Sequence, residues 1–218
     1  MQKIAFDALD GERGAILLID AQSGEVITLA SSPSFNLNNF IKGEDVKKFL
    51  VNRDKPMINR VIQATYPLGS TIKPILAAAA LEEIKISPER TFECSGEMRL
   101  GDARFRCWAP HGKENLYEGL THSCNVYFYN LGLILGADLM AKWAKIFGLE
   151  SLTEIDLPYE KTGFVPTPLW KSKALRQRWF PGDTLNLAIG QGYIETTPLE
   201  LLAAINAFAN GGYRLRSI

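Results

Sequence analysis

From Ser70 to about Glu83 the residue spacing predicts a helix without a polar flank. Ile72, Ile75, Leu76 and Ala79 fall on one face, and further alanines keep the opposite side small. A helix that is apolar all round is a central, buried one, so the rest of the chain must enclose it. Pro74 fits only if the helix begins near Ser70, where the first N–H groups lack partners anyway. Pro67 and Gly69 mark the turn into it. To build the enclosure the chain has 218 residues, 46% of them hydrophobic, which suffices for one domain, or at most one and a half, with a sizeable core. That apolar share, with zero net charge, excludes disorder. Twenty-four basic residues balance twenty-four acidic ones without a block of either sign, which excludes non-specific nucleic-acid binding. The longest apolar run, Ile75 to Leu81, falls far short of the roughly 18 residues of a membrane span, so no transmembrane helix is expected here. Met1 to Asp10 lacks the basic and apolar regions of a signal peptide.

Other elements follow by pattern. Gly14 to Asp20 and Glu25 to Ala30 read as two strands. Asp20-Ala-Gln-Ser-Gly24 supplies the turn of an antiparallel hairpin, with Gly24 free to take a positive φ. Ser31 to Phe40 and Gly163 to Trp170 read as loops, and Ser87 to Asn115 as a long connection. Helices are expected over Val126–Leu135, Leu139–Phe147 and Leu199–Asn210, the last capped by Thr197 and stopped by Gly211-Gly212. Everything after the hairpin therefore reads as helix and loop. A two-stranded sheet seldom stands alone, so either more strands follow in a longer protein or this domain is missing part of its sheet.

Ser70-Thr-Ile-Lys73 puts a hydroxyl and an amine on one face at the helix start. Ser70 would sit at the positive end of the helix dipole, and its backbone N–H can face an oxyanion. A serine needs a base to become a nucleophile, and a lysine serves only when burial keeps it neutral. The plainer reading is an N-capping serine. Against it stand the tight Tyr66-Pro-Leu-Gly69 turn before Ser70 and the apolar helix behind it. Ser123-Cys-Asn125, just before an aromatic helix start, offers a second hydroxyl and an amide that can point the same way. Ser34-Phe-Asn36 has the same spacing but precedes no helix.

Three cysteines and one histidine form a further cluster: Cys94, Cys107, His111 and Cys124, within 31 residues. Three thiolates and an imidazole make a tetrahedral zinc set, although the intervals of 12, 3 and 12 residues match no compact zinc module. A Cys94–Cys107 disulfide and free buried thiols are the alternatives; the odd count argues against a full disulfide framework. His122 reads as an exposed or capping residue without a partner.

Taken together these segments resemble the penicillin-binding proteins, and among them the elongation-type class B transpeptidases (the penicillin-binding protein 2 group). The resemblance rests on Gly14 to Phe35, Asn59-Arg60 with Tyr66 to Pro74, Ser123-Cys-Asn125 placed 53 residues after Ser70, Gly163 to Pro168 with Trp170-Lys171, and Gly182-Asp-Thr184 with Ile189-Gly-Gln-Gly-Tyr193. It implies an α+β fold of the serine β-lactamase type, an antiparallel sheet flanked by helices. It implies attack on the D-alanyl-D-alanine of a peptidoglycan stem peptide. Ser70 would be acylated, Lys73 would be the base, Ser123 would relay a proton and Asn125 would hold the substrate backbone. β-Lactams would acylate the same serine. No cofactor is required for the chemistry. Some relatives carry a metal in the 87–115 connection, which would make Cys94, Cys107, His111 and Cys124 a structural zinc site. If Ser123 and Asn125 face a cleft, Cys124 faces away from it, toward that connection. A membrane glycan polymerase and elongation scaffold proteins are the implied partners. The implied location is the outer face of the bacterial cytoplasmic membrane, with the anchor outside this sequence.

The family's third motif, Lys-Thr-Gly on a late strand, is expected beyond Ile218. Lys161-Thr-Gly163 precedes the Gly-Gln-Gly segment and runs into a proline-rich loop, so it reads as a coincidence. Residues 1–218 would then be one transpeptidase domain cut before that motif. A β-lactam sensor or an inactive scaffold of the same fold is the alternative function. A β-lactamase would need a carboxylate to activate water, and none stands out.

Overall fold

The structure, a computed structural model, describes residues 1–43, 46–84 and 86–218. The chain divides into two compact units. One comprises residues 1–66, 151–163 and 196–218, the other 67–150 and 164–195.

The first unit contains the expected hairpin. β1 (Gly14–Ile19) pairs antiparallel with β2 (Val26–Ser32), with Leu17 opposite Leu29. Gly24 turns between them at φ +81°. Helix α1 (Gln2–Ala8) packs on β2, and Gln2 bonds both the N–H and the C=O of Leu29 through its amide. Two short helices, α2 (Leu37–Ile41) and α3 (Val46–Val51), follow; α2 begins inside the stretch expected to be loop. Val61, Ile62 and Leu199 form the core under the hairpin, joined by Ala15, Leu17, Val26, Leu29 and Ile155. The last helix of the chain, Pro198–Asn206, ends four residues before its expected limit. Its cap is as expected: Thr197 accepts from the N–H of Glu200, and Glu200 reaches back to Thr197. The Glu200 carboxylate is buried and also gathers the N–H groups of Ser151 and Gly163 and the hydroxyl of Thr196. Gly163 of the Lys161-Thr-Gly163 stretch thus has a structural partner in this unit.

The second unit is built on the helix after Gly69. It is wound in three ways: a 3₁₀ turn over Gly69–Ile72, α4 (Lys73–Ala79) and a π-helical turn over Ala80–Ile84. The uniform helix expected over 70–83 is corrected in that respect. Ile72, Ile75, Leu76, Ala79 and Ala80 are fully buried, as its apolar surface requires. Pro74 falls in the first turn of α4, where it removes no hydrogen bond. Around α4 pack α6 (Asn125–Leu135) and α7 (Ala137–Ile146). α6 crosses α9 (Pro181–Ala188) so closely that a Cβ on Gly132 would meet that of Ala188 at 2.5 Å.

The expectation of helix and loop after the hairpin is overturned. The 87–115 stretch holds four short strands. β3 (Phe92–Cys94) pairs with β6 (Gly112–Glu114), and between them β4 (Glu97–Leu100) pairs with β5 (Ala103–Arg106). β3 and β6 are only three residues long, too short to show a period. Glu97-Met-Arg-Leu100 and Ala103-Arg-Phe-Arg106, by contrast, do alternate polar and apolar residues around Gly101-Asp102, a hairpin signal that the reading of this stretch as a connection passed over. α5 (Leu116–Thr121) follows, closed by an Asn115–Glu118 capping box. The 163–170 loop is likewise shorter than expected. α8 (Pro168–Leu175) starts inside it, with Pro168 in its first turn and Thr167 as N-cap.

Candidate active site

Lys73 is the hub. Its side chain is 2% exposed, yet its ammonium donates three hydrogen bonds: to the Ser123 carbonyl at 2.7 Å, the Ser123 Oγ at 3.0 Å and the Asn125 Oδ1 at 2.8 Å. All three ammonium hydrogens are thereby placed. The ring of Phe128, one turn into α6, lies 5.3 Å from Nζ. Burial brings the Lys73 pKa down to about 8, while the Cys107 and Cys124 thiols pull it the other way. An amine titrating there can exchange a proton with a neighbouring hydroxyl near neutral pH.

Ser70 lies on the 3₁₀ turn, where residues i and i+3 eclipse, so it shares a face with Lys73. Its side chain is exposed, without a hydrogen bond among the described residues. The turn is held from two sides: Thr71 Oγ1 donates to the Leu68 carbonyl at 2.7 Å, and the Gly69 N–H donates to the Gly190 carbonyl at 2.8 Å. Gly190 has φ +67°, and a Cβ there would stand 2.1 Å from the Gly69 oxygen. Only glycine admits that contact.

Ser123 has φ +51°, the left-handed region that non-glycine residues avoid. This twist lets its carbonyl and hydroxyl both reach Lys73. Asn125 opens α6 and is pinned from both ends, since its Nδ2 donates to the Arg106 carbonyl at 3.2 Å. The structure therefore gathers Lys73, Ser123 and Asn125 into one network, with Ser70 on the same face of the helix start as Lys73.

The second predicted set also converges. Donor atoms of Cys94, Cys107, His111 and Cys124 all lie within 4.8 Å of one another, and the three cysteines are free thiols. His111 Nδ1 stands 3.5 Å from the sulfurs of both Cys94 and Cys107. Tetrahedral Zn–S and Zn–N bonds of about 2.3 and 2.1 Å place such atoms roughly 3.6 Å apart, so the donor set and its spacing fit zinc. Cys124 is fully buried, with its sulfur among the donor atoms of Cys94, Cys107 and His111. Burial pushes its thiol up to about 12. Burial also opposes ionisation of Cys107, but the N–H groups of Val126, Ala109 and Asn125 outweigh it and lower its pKa.

His122 is exposed and capping, as expected, but it does have a partner. It caps α5, and its Nδ1 lies 2.9 Å from the buried Glu114 carboxylate while its ring stacks on His111. Glu114 is eight residues away on β6, a pairing made by a strand the sequence concealed. Two further landmarks meet: Lys171, buried in α8, donates to Asp183 at 2.6 Å.

A family model described as the penicillin-binding protein transpeptidase domain matches residues 14–217. The peptidoglycan D,D-transpeptidase MrdA of Acinetobacter baumannii is 39% identical over 97% of this chain and 33% of its own length. A solved complex of penicillin-binding protein 2 with MreC from Helicobacter pylori superposes with a TM-score of 0.91 at 37% identity, over 96% of this chain and 40% of that one. A solved peptidoglycan synthase complex that coordinates polymerization and crosslinking gives a TM-score of 0.81 at 34% identity, over 94% of this chain and 37% of that one. The chain thus spans about a third of the length of the curated relatives it matches.

Proposed function

The chain belongs to the penicillin-binding protein transpeptidase domain family, and on that premise we propose that it forms the acylating part of a peptidoglycan D,D-transpeptidase of cell elongation. Ser70 is the nucleophile. Its oxygen attacks the carbonyl of the penultimate D-alanine of a stem peptide while neutral Lys73 takes its proton. Ser123, bonded to Lys73, relays a proton to the nitrogen of the departing D-alanine as the C–N bond breaks. Asn125 holds the substrate backbone through the second hydrogen of its amide. An amine of a second stem peptide then attacks the Ser70 ester, forms the cross-link and frees the serine. The observation that carries this reading is the triple hydrogen bond of buried Lys73 to Ser123 and Asn125.

Intact-protein mass after incubation with benzylpenicillin tests it. The expected result is one adduct of the drug's mass, absent from Ser70→Ala. An adduct that survives in Ser70→Ala, or none in either protein, overturns the assignment of Ser70.

Cys94, Cys107, His111 and Cys124 are the proposed holders of a structural zinc. The reaction needs no cofactor; when bound, the ion supplies a cross-link between the 87–115 strands and the turn carrying Ser123 and Asn125. The H. pylori complex with MreC supports a scaffold protein as one partner, and the synthase complex supports a glycan polymerase. β-Lactams are the proposed inhibitors. The proposed site of action is the outer face of the cytoplasmic membrane. Among the described residues no helix is long and apolar enough to cross a membrane.

A further inference from the structure

Beside α9 lies a cavity of about 180 Å³ that no step above uses. Its walls are the rings of Trp179 and Tyr193 with Pro166, and its polar groups are Asp183, Asn186 and Gln191. The walls are fixed in place. Trp179 Nε1 donates to Thr184 Oγ1 at 2.8 Å, and Asp183 accepts from the Phe180 N–H as well as from Lys171. The Lys171 ammonium lies 6.0, 5.5 and 5.6 Å from the ring centroids of Trp179, Phe180 and Tyr193. Lysine and aspartate therefore satisfy each other, and no charge is left to receive an ionic ligand. The side-chain amides of Asn186 and Gln191 make no hydrogen bond among the described residues. Gln191 and Gly192, which line the cavity, directly follow Gly190, whose carbonyl holds the turn before Ser70.

Aromatic faces, idle planar amides, a carboxylate oxygen and no net charge suit a ligand with apolar C–H faces and a rim of hydroxyl and acetamido groups. We propose that this cavity is a subsite for an uncharged N-acetylated sugar of the glycan strand whose stem peptide is presented to Ser70; the assignment rests on the transpeptidase reading. The ring of the sugar stacks on Tyr193 or Trp179, and its acetamido and hydroxyl groups pair with Asn186 and Gln191. A stem peptide alone, with its charged carboxylates and amine, finds no counter-charge here.

The probe is chitotetraose, titrated by calorimetry and saturation-transfer NMR into the full chain. The expected result is weak, saturable binding with transfer to the acetamido protons. Asn186→Ala and Gln191→Ala should each weaken it about tenfold. Gln191 is exposed on a loop, so its loss does not threaten folding. Absence of binding at millimolar sugar, or affinity indifferent to both substitutions, overturns the subsite. So does a sugar-free stem pentapeptide that binds and is lost in the same two variants. Benzylpenicillin adduct formation, read on the same sample, separates the two readings. A chain that is acylated but binds no sugar sinks the subsite alone, whereas one that binds sugar but is never acylated sinks the nucleophile alone.

Discussion

A buried ammonium that donates to three acceptors is held in place, and Lys73 is the residue on which the proposed chemistry turns. Burial lowers its pKa to about 8, below the ordinary lysine value. As the proposed base it works when neutral, so acylation by benzylpenicillin should rise with pH and level off above about 8, as stopped-flow rates will record. Linkage has the same sign. Between about 8 and 10.5 the unfolded state binds more protons at this residue than the folded one, so its contribution to stability grows with pH across that window. Lys73→Arg keeps the positive charge and cannot lose it, so acylation should fall by about 10² to 10⁴, the usual worth of a general base. Ser70, Lys73, Ser123 and Asn125 were candidates in the sequence through two short spacings, each weak alone, and the family resemblance; the structure brings Lys73, Ser123 and Asn125 together. Phe128 over the ammonium and Gly190 against Gly69 were not legible there, since each acts through a contact between residues far apart in the chain.

Elements were legible where their pattern was long. The buried helix, the opening hairpin, α6, α7 and the capped last helix all followed from periodicity and caps. The strands β3 to β6 did not: β3 and β6 have three residues each, too few for a period, and the alternation of β4 and β5 is only four residues long on each side of Gly101-Asp102. α8 was hidden by its own start: Thr167-Pro168 reads as loop until the threonine is seen to cap Trp170. The close crossing of α6 and α9 is a tertiary fact as well. Gly132→Ala forces a methyl into 2.5 Å of Ala188 and should cost about 1 to 3 kcal/mol in urea unfolding, against the small gain alanine normally brings to a helix. The strand cluster is where the metal assignment is tested. Elemental analysis should find one zinc per chain, and Cys107→Ser or a strong chelator should remove it. The same treatments should lower the melting temperature, because the proposed ion would join strands too short to hold themselves.

At the scale of the whole chain, two units each carry their own buried polar hub. In one it is Lys73. In the other it is Glu200, whose carboxylate collects backbone donors from residues 151, 163 and 197. Glu200→Ala strands those donors in a dry interior and should destabilise by roughly 3 kcal/mol or more, measurable as a lower urea midpoint. Glu200→Gln, which keeps the size and one acceptor, should cost less. The Glu200 contact gives the Gly163 N–H of Lys161-Thr-Gly163 a structural partner.

Local order and chemical type were decided by the sequence alone. A helix without a polar face had to be central, a Ser-x-x-Lys at its head had to lie on one side, and three cysteines with a histidine in one short stretch had to be weighed as a metal set. Spacing along the chain carries that information because a helix or a turn converts it directly into direction. Tertiary structure decided which distant groups meet: Lys73 with the 123–125 turn, Gly190 with Gly69, Lys171 with Asp183, Glu114 with His122. Those pairs depend on how buried elements cross and how closely backbones approach, and close packing of the whole chain sets both.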